Sequence, residues 1–260
     1  MITGNTASGT FYVFNKKEQS IPIVFVHGVG LTYEIWQPQL DFFKDYSNLS
    51  YDILGHGKSS LTKQNISFDD FSDQLIELIN ELKIEKIHLV GFSIGSLIAR
   101  NFATRYGNRL RSLILLGSIY KRSEQQQKIV NERFNQAKKE LKLSSQALKR
   151  WFTDKYLENN PGTYEKITSI LSKNNMANFL KVYELFVKHK NDEDFKKIQT
   201  KTLVMTGEHD IGSTIEMSQQ LNDIIMDSEL RIIKEGKHLC GIECADEVNL
   251  SIKNFIDKYE

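Results

Sequence analysis

Short runs of β-branched and aliphatic residues recur at five places along the chain. Runs that are apolar at successive positions, without alternation, are typical of strands whose two faces are both covered by helices. Stretches with helical spacing separate the runs, and this order predicts an α/β fold with a mostly parallel sheet. The runs lie at residues 21–26, 86–90, 113–116, 202–205 and 229–233.

The stretch from residue 120 to residue 198 has a different pattern, because no run typical of a buried strand occurs in it. Two sets of apolar residues recur there at helical spacing, so each set predicts a helix with one apolar face. We expect these helices to form a cap (residues 120–198) over a single core made of residues 1–119 and 199–260. The alternative is that they belong to the packing of the core itself. The two sets are Val130, Phe134, Ala137 and Leu141, and Phe179, Leu180, Tyr183, Phe186 and Val187.

Composition and charge mainly exclude nucleic-acid-binding and membrane-spanning classes of protein. The 260 residues include 34 Lys and Arg against 33 Asp and Glu, a net charge of +1 that provides no overall field for binding nucleic acid. The longest apolar runs are far shorter than the roughly 20 residues that a membrane span requires. The chain has two cysteines, and its N-terminus lacks the basic start and apolar stretch of a secretory signal, so we expect a cytoplasmic protein.

The most specific local motif is Gly91-Phe92-Ser93-Ile94-Gly95, which follows a predicted strand directly and precedes a predicted helix. A serine on such a sharp strand-to-helix turn needs neighbours without side chains, so that the turn can close against the adjacent strand and helix. Ser93 would then project from the carboxyl edge of the sheet, at the N-terminus of a helix. The motif predicts that Ser93 is a catalytic nucleophile.

A serine nucleophile requires a histidine to accept its proton and a carboxylate to orient that histidine. Asp210 follows the run at 202–205, and His238 follows the run at 229–233. Both positions are at the carboxyl ends of predicted strands, where open α/β sheets collect their functional groups. The sequence therefore predicts a triad of Ser93, Asp210 and His238, and the other five histidines are interpreted as structural or surface residues.

A glycine-rich loop, His27-Gly28-Val29-Gly30, ends the strongest early strand. Such a loop brings backbone N–H groups close to a ligand, and the tetrahedral intermediate of acyl transfer needs two donors on its oxyanion. We assign these donors to the N–H groups of Val29 and Ile94. Gly28 and Trp36 are candidate substrate contacts, and Trp151 is a further candidate, although both tryptophans are equally compatible with ordinary packing.

Together these segments resemble the α/β-hydrolase superfamily over nearly the whole chain. Within it, the sequence is similar to the small capped serine esterases and lactonases, including 3-oxoadipate enol-lactonases and pimeloyl-carrier methyl esterases. The resemblance implies an eight-stranded sheet, a helical cap after the sixth strand, a Ser-Asp-His triad and no cofactor. The segments that carry it are His27-Gly28-Val29-Gly30, Asp52-Ile53-Leu54-Gly55-His56-Gly57-Lys58-Ser59, Gly91-Phe92-Ser93-Ile94-Gly95, Gly207-Glu208-His209-Asp210 and Gly236-Lys237-His238.

These residues predict a hydrolase that cleaves a small carboxylic ester or lactone through an acyl-enzyme. One alternative is a hydrolase of carbon–carbon bonds, because the same residues serve that reaction. Another is a small-molecule receptor that keeps the triad without turnover. No metal is expected, since Cys240 and Cys244 have no second Cys/His pair near them in the sequence.

The segment 120–150 is locally basic, with nine Lys and Arg against three Glu. Such a surface could dock an acidic partner, for instance an acyl-carrier protein that presents a tethered ester. The alternative is an ordinary solvated helix face. The basic residues are Lys121, Arg122, Lys128, Arg133, Lys138, Lys139, Lys142, Lys149 and Arg150.

Overall fold

The computed structural model describes residues 1–18, 20–140, 146–190 and 192–259. Within these residues, eight strands form one sheet in the order β1-β2-β4-β3-β5-β6-β7-β8. Strands β1 and β2 are antiparallel to their neighbours, and all the other pairs are parallel. The predicted α/β fold with a mostly parallel sheet is confirmed. The strands are β1 (Ile2–Asn5), β2 (Phe11–Asn15), β3 (Ile23–Val26), β4 (Asn48–Tyr51), β5 (Ile87–Phe92), β6 (Leu110–Leu116), β7 (Thr202–Gly207) and β8 (Ser228–Ile233).

Helices connect the parallel strands and cover both faces of the sheet. Five of those in the described residues lie between β6 and β7, which is the segment predicted to be helical. The helices are α1 (Gln37–Phe42), α2 (Phe68–Glu81), α3 (Ile94–Tyr106), α4 (Glu124–Glu140), α5 (Gln146–Trp151), α6 (Asp154–Asn159), α7 (Pro161–Ser172), α8 (Met176–Val187), α9 (Ile215–Ile224), α10 (Cys240–Glu243) and α11 (Ala245–Ile256).

Strand β3 shows why a central strand can be apolar at every position. Because successive side chains of a strand point to opposite faces, its four residues divide between two cores. Val24 and Val26 pack into the core that includes α2 and α3. Ile23 and Phe25 pack into the core that includes α1 and α11. All four side chains are fully buried, so a polar residue at any of these positions would lose its hydration.

The predicted apolar faces of α4 and α8 pack against each other. Val130 and Ala137 of α4 form one cluster with Phe179, Tyr183 and Val187 of α8. Leu141, the last residue of the first predicted set, lies outside the described residues. We propose that α4–α8 act as the cap; the domain boundaries at residues 119 and 199 stay a prediction.

The described residues contain neither a membrane-spanning helix nor a cluster of metal-binding side chains. Among the described residues, no helix is both long and apolar enough to cross a bilayer. Nor do those residues include a group of three or more His, Cys, Asp and Glu side chains arranged to hold a metal ion. Cys240 is buried and Cys244 half-buried, both as free thiols. The cytoplasmic location stays a prediction.

Candidate active site

Ser93 occupies the sharp turn between β5 and α3. Its backbone has φ 56° and ψ −120°, a left-handed conformation that L-residues rarely adopt. Strain of this kind amounts to about 1–3 kcal/mol and persists only where surrounding contacts impose it. Here the Ser93 N–H donates to the carbonyl of Leu116 on the neighbouring strand β6 at 3.0 Å. The turn leaves the Ser93 side chain in the wall of a cavity.

The two glycines of the motif allow the turn to pack against its surroundings. A Cβ on Gly91 would lie 2.2 Å from the carbonyl oxygen of Gly95. A Cβ on Gly95 would lie 2.3 Å from the carbonyl oxygen of Val26 on β3. Both obstacles are backbone atoms that cannot rotate away, so neither position has room for a side chain. The glycines therefore allow α3 to start directly against the sheet.

The loops after β7 and β8 bring Asp210 and His238 to Ser93. His238 Nδ1 lies 2.6 Å from Asp210 Oδ2, and His238 Nε2 lies 3.2 Å from Ser93 Oγ. Since an ionised carboxylate only accepts hydrogen bonds, we place the imidazole proton on Nδ1. Nε2 then accepts the hydrogen bond of the Ser93 hydroxyl. The three residues predicted as a triad thus form one connected chain of hydrogen bonds.

The Asp210 carboxylate is also held from its other side. Its Oδ1 accepts hydrogen bonds from the N–H groups of Gly212 at 2.8 Å and Ser213 at 3.0 Å. The hydroxyl of Ser213 in turn donates to the carbonyl of Gly117 at 2.8 Å. These contacts fix the orientation of the carboxylate and direct Oδ2 towards His238. Sequence reasoning missed Ser213, because its role depends on the turn after Asp210 and no motif marks it.

The two predicted oxyanion donors belong to different segments of the chain. Val29 lies in the glycine-rich loop after β3, and Ile94 is the first residue of α3. Outside the helices and strands, neither N–H group donates to a backbone or side-chain acceptor in the described part of the chain. Both donors are therefore available to a ligand oxygen. Their role as an oxyanion hole stays a prediction.

Two buried histidines hold the glycine-rich loop in place. His56 Nε2 accepts the N–H of Gly30 at 2.8 Å, and His27 Nε2 accepts the N–H of Ile53 at 3.0 Å. Each acceptor must be an unprotonated ring nitrogen, so both imidazoles are neutral. Burial lowers the pKa of His27 to about 4 and that of His56 to about 3. The two rings thus support the loop rather than transfer protons.

These histidines predict a loss of stability in mild acid. Burial also lowers the pKa of His88 to about 4, so three rings stay neutral in the fold but bind protons near pH 6.5 when unfolded. Because the unfolded chain binds more protons, stability falls as the pH drops below 6.5 towards 4. Summed over three groups, this linkage amounts to about 5 kcal/mol between pH 7 and 5. Urea unfolding at several pH values measures it.

A matched pair of variants tests which rings are responsible. His56→Gln keeps an amide acceptor and donor but cannot titrate, so the dependence of unfolding free energy on pH should become shallower. His209→Gln changes an exposed ring and should leave the dependence as in the wild type. An unfolding free energy that stays constant from pH 7 to pH 5 would contradict the neutral, buried state of these rings.

A cavity of about 290 Å³ opens over Ser93. Gly28, a predicted substrate contact, lies in its wall, and so does Trp151. The cap supplies much of the remaining wall from α4, α5 and α8. The volume is at the lower end of the range for small-molecule pockets.

Trp36, the other predicted substrate contact, does not line this cavity. Its side chain is 1% exposed and packs in the core between α1 and the sheet. The ring centroid lies 5.0 Å from that of Phe25 and meets Phe92 edge-on at 6.4 Å. The sequence placed Trp36 close to the glycine-rich loop, but the short helical turn Tyr33–Trp36 directs it into the core. Trp36 is therefore corrected to a packing residue.

Comparisons with known proteins agree with this fold. The family model described as "alpha/beta hydrolase fold" matches residues 21–243. The (E)-2-((N-methylformamido)methylene)succinate hydrolase of Acinetobacter baylyi is 28% identical over 251 residues, which cover 95% of this chain and 94% of that protein. A 3-oxoadipate enol-lactonase of the same organism is 24% identical over 91% of this chain and 89% of its own.

A solved structure extends the similarity to the backbone. The enol-lactonase of Burkholderia xenovorans LB400 superposes with a TM-score of 0.88, covering 98% of this chain and 100% of that chain at 21% identity. At this level of identity the likeness concerns the fold alone. The family match, in contrast, spans most of the sequence and includes all five segments that carry the resemblance. The chain therefore belongs to the α/β-hydrolase fold family.

Proposed function

We propose that this protein is a serine hydrolase that cleaves a small carboxylic ester or lactone through an acyl-enzyme intermediate. The observation that carries the proposal is the position of His238, within hydrogen-bond distance of both Ser93 and Asp210. Membership of the hydrolase family supports it, as do relatives named a succinate-derivative hydrolase and an enol-lactonase. Each step of the reaction can be assigned to a group in the cavity.

In the first half-reaction, Ser93 Oγ attacks the carbonyl carbon while His238 Nε2 accepts its proton. Asp210 keeps the other ring proton on Nδ1 and stabilises the imidazolium that forms. The negative charge on the carbonyl oxygen is met by the N–H groups of Val29 and Ile94, each donor of this kind being worth about 3–4 kcal/mol of barrier. The imidazolium then protonates the leaving alcohol as the ester bond breaks.

In the second half-reaction, water takes the place of the alcohol. His238 accepts a proton from this water, which attacks the carbonyl of the acyl-enzyme. The same two N–H groups stabilise the second oxyanion, and the imidazolium returns its proton to Ser93 as the acid leaves. Apart from the substrate and this water, both steps use only groups of the chain itself, and the lack of a cofactor stays a prediction.

A chain-length series tests this function. With p-nitrophenyl esters from acetate to decanoate, we expect hydrolysis with a maximum of kcat/KM at short acyl chains. The reason is the size of the cavity, about 290 Å³, which cannot enclose a long chain. Between the best substrate and decanoate, kcat/KM should fall about tenfold or more. Release of p-nitrophenol at fixed pH provides the measurement.

The same assay separates the alternatives. Faster cleavage of a β-diketone than of any ester would indicate a carbon–carbon bond hydrolase. Stoichiometric labelling by a fluorophosphonate without turnover of any ester would indicate a receptor. Either outcome would contradict the proposed esterase and lactonase function.

Docking of an acyl-carrier protein on segment 120–150 stays a prediction. The described lysines of this segment are exposed, as such docking requires.

A further inference from the structure

The basic segment 120–150 is divided by the fold into an inner and an outer set. Its three arginines are half-buried and line the cavity over Ser93. Its described lysines are exposed, and Lys142 lies outside the described residues. The guanidinium groups therefore share one cavity with the proposed nucleophile. The arginines are Arg122, Arg133 and Arg150, and the described lysines are Lys121, Lys128, Lys138, Lys139 and Lys149.

One of these arginines has an evident structural role. Arg122 Nη1 donates to the carbonyls of Phe186 and Val187, which belong to the last turn of α8. Its guanidinium also lies 4.4 Å from the centroid of the Phe186 ring. A cation in this place balances the negative end of the helix dipole. Arg122 thus adds positive charge to the cavity while its donors hold α8.

Arg133 and Arg150 line the same cavity, and neither forms an ion pair with an acidic residue in the described part of the chain. Burial lowers the pKa of Arg150, and the neighbouring charge of Arg133 lowers it further. The acidic residue that lines the cavity in the described part of the chain is Asp210, whose oxygens are engaged by His238 and two backbone N–H groups. Two half-buried like charges repel each other, and a bound anion would relieve this repulsion.

Tyr183 of α8 adds a neutral polar group at the same place. Its side chain is 8% exposed, and burial raises its pKa although Arg133, Arg150 and Arg122 each act to lower it. The phenol therefore stays protonated at neutral pH with three guanidinium groups around it. Apolar side chains of Ile129, Val130 and Phe186 form much of the remaining wall, which reduces the screening of these charges by water.

We propose that Arg133 and Arg150 bind a carboxylate group carried by the substrate. The inference rests on the proposed function and narrows its substrates to esters or lactones that are also carboxylic acids. Arginine suits this role because its planar fork of N–H donors matches the two oxygens of a carboxylate. The guanidinium donors thereby line the same cavity as Ser93 and Val29.

Paired substrates test the preference directly. Monomethyl esters of succinic, glutaric and adipic acids carry the carboxylate on the acyl side, and their dimethyl esters are neutral counterparts. O-acetyl glycolate and its methyl ester place the same difference on the alcohol side. In at least one series we expect kcat/KM to be about 10- to 100-fold higher for the charged member, mainly through a lower KM. Titration of released acid measures every pair in the same way.

Substitutions in the two helices then locate the effect. Arg133→Gln and Arg150→Gln should each bring the ratio of charged to neutral kcat/KM down towards one. Arg133→Lys keeps the charge but loses the fork, so its ratio should lie between those of wild type and Arg133→Gln. Lys138→Gln on α4 and Lys149→Gln on α5 remove the same charge outside the cavity, and they should keep the wild-type ratio.

A binding experiment keeps this inference separate from the proposed reaction. Glutarate is titrated by calorimetry into Ser93→Ala protein, with and without Arg133→Gln and Arg150→Gln. We expect Kd to rise at least tenfold when both arginines are replaced. Binding of glutarate without hydrolysis of any ester would support the carboxylate site and overturn the esterase function.

Three results would overturn the carboxylate site and leave the esterase function standing. The first is Ser93-dependent hydrolysis of neutral esters with no preference for charged members in either series. The second is glutarate binding that is as strong in the double arginine variant as in its parent. The third is tighter binding of inorganic phosphate than of any dicarboxylate, which would assign the arginines to another anion.

Discussion

Ser93→Ala is expected to lower kcat/KM for ester hydrolysis by about 10⁴-fold or more. The substitution removes the oxygen that forms the acyl-enzyme and leaves the oxyanion donors and the cavity wall in place. Alanine keeps the Cβ and therefore the same strained backbone at φ 56°. The thermal midpoint should consequently stay within about 2 °C of the wild type. Steady-state kinetics with a short p-nitrophenyl ester, together with calorimetry, measures both quantities.

The neighbouring serine of the same turn provides a control. Ser96 donates its hydroxyl to the carbonyl of Ser93 and is absent from the cavity wall. Ser96→Ala should keep activity within about tenfold of the wild type, since it loses one hydrogen bond at the helix start. If hydrolysis survived in Ser93→Ala but was lost in Ser96→Ala, the nucleophile would be Ser96 and the proposal would be wrong.

His238→Gln is expected to lower kcat by about 10³- to 10⁵-fold. Glutamine has donors and acceptors of similar reach, but its amide cannot accept a proton at neutral pH. The Ser93 hydroxyl then loses its base, and the leaving alcohol loses its acid. Substrate binding should change little, so the loss should appear in kcat more than in KM. Single-turnover kinetics would show acylation as the slowed step.

His209 is the matched control for this variant. It lies beside Asp210 in the sequence, but its side chain is exposed, and it is not part of the cavity wall. His209→Gln should therefore leave kcat unchanged. If both variants had the same activity, or if His238→Gln kept more than about a tenth of wild-type activity, His238 would not be the base.

The central strands could be predicted because burial on both faces leaves a simple pattern. Strands β3, β5, β6 and β7 are buried at nearly every position and overlap apolar runs in the sequence. Strand β8 also overlaps a predicted run, but it lies at the sheet edge, where Glu229 and Arg231 are exposed and only Ile233 is buried. Strand β4 does not, because Asn48 and Ser50 are buried polar residues within it. The Asn48 amide is satisfied by the carbonyl of Phe43 at 2.8 Å, a contact that no local pattern indicates. Strand β1 is mostly exposed at the sheet edge and carries no apolar run either.

The positions of Ser93, Asp210 and His238 could be predicted because each follows a strand whose end lies at the same edge of the sheet. The supporting contacts could not. His27 and His56 act as hydrogen-bond acceptors for loop amides, and this role depends on which loops meet in the fold. Ser213 depends on the local turn after Asp210 in the same way.

The inward position of Arg133 and Arg150 is indicated in the sequence by their spacing from apolar residues. Arg133 lies three residues after Val130 and four before Ala137, both of which are buried on the inner face of α4. Arg150 lies three residues after the buried Ala147 of α5. Residues at these spacings share one helix face, so both arginines belong to the apolar side. The net charge of segment 120–150 does not distinguish these inward-facing arginines from the exposed lysines.

Rapid acid quenching of the wild-type enzyme with p-nitrophenyl acetate, followed by peptide mapping by mass spectrometry, tests the central claim most directly. The proposed mechanism predicts one acetyl group per chain, on Ser93, formed as fast as the initial burst of p-nitrophenol. Turnover with an acetyl group on another residue, or with no acetylated peptide at any quench time, would contradict an acyl-enzyme at Ser93.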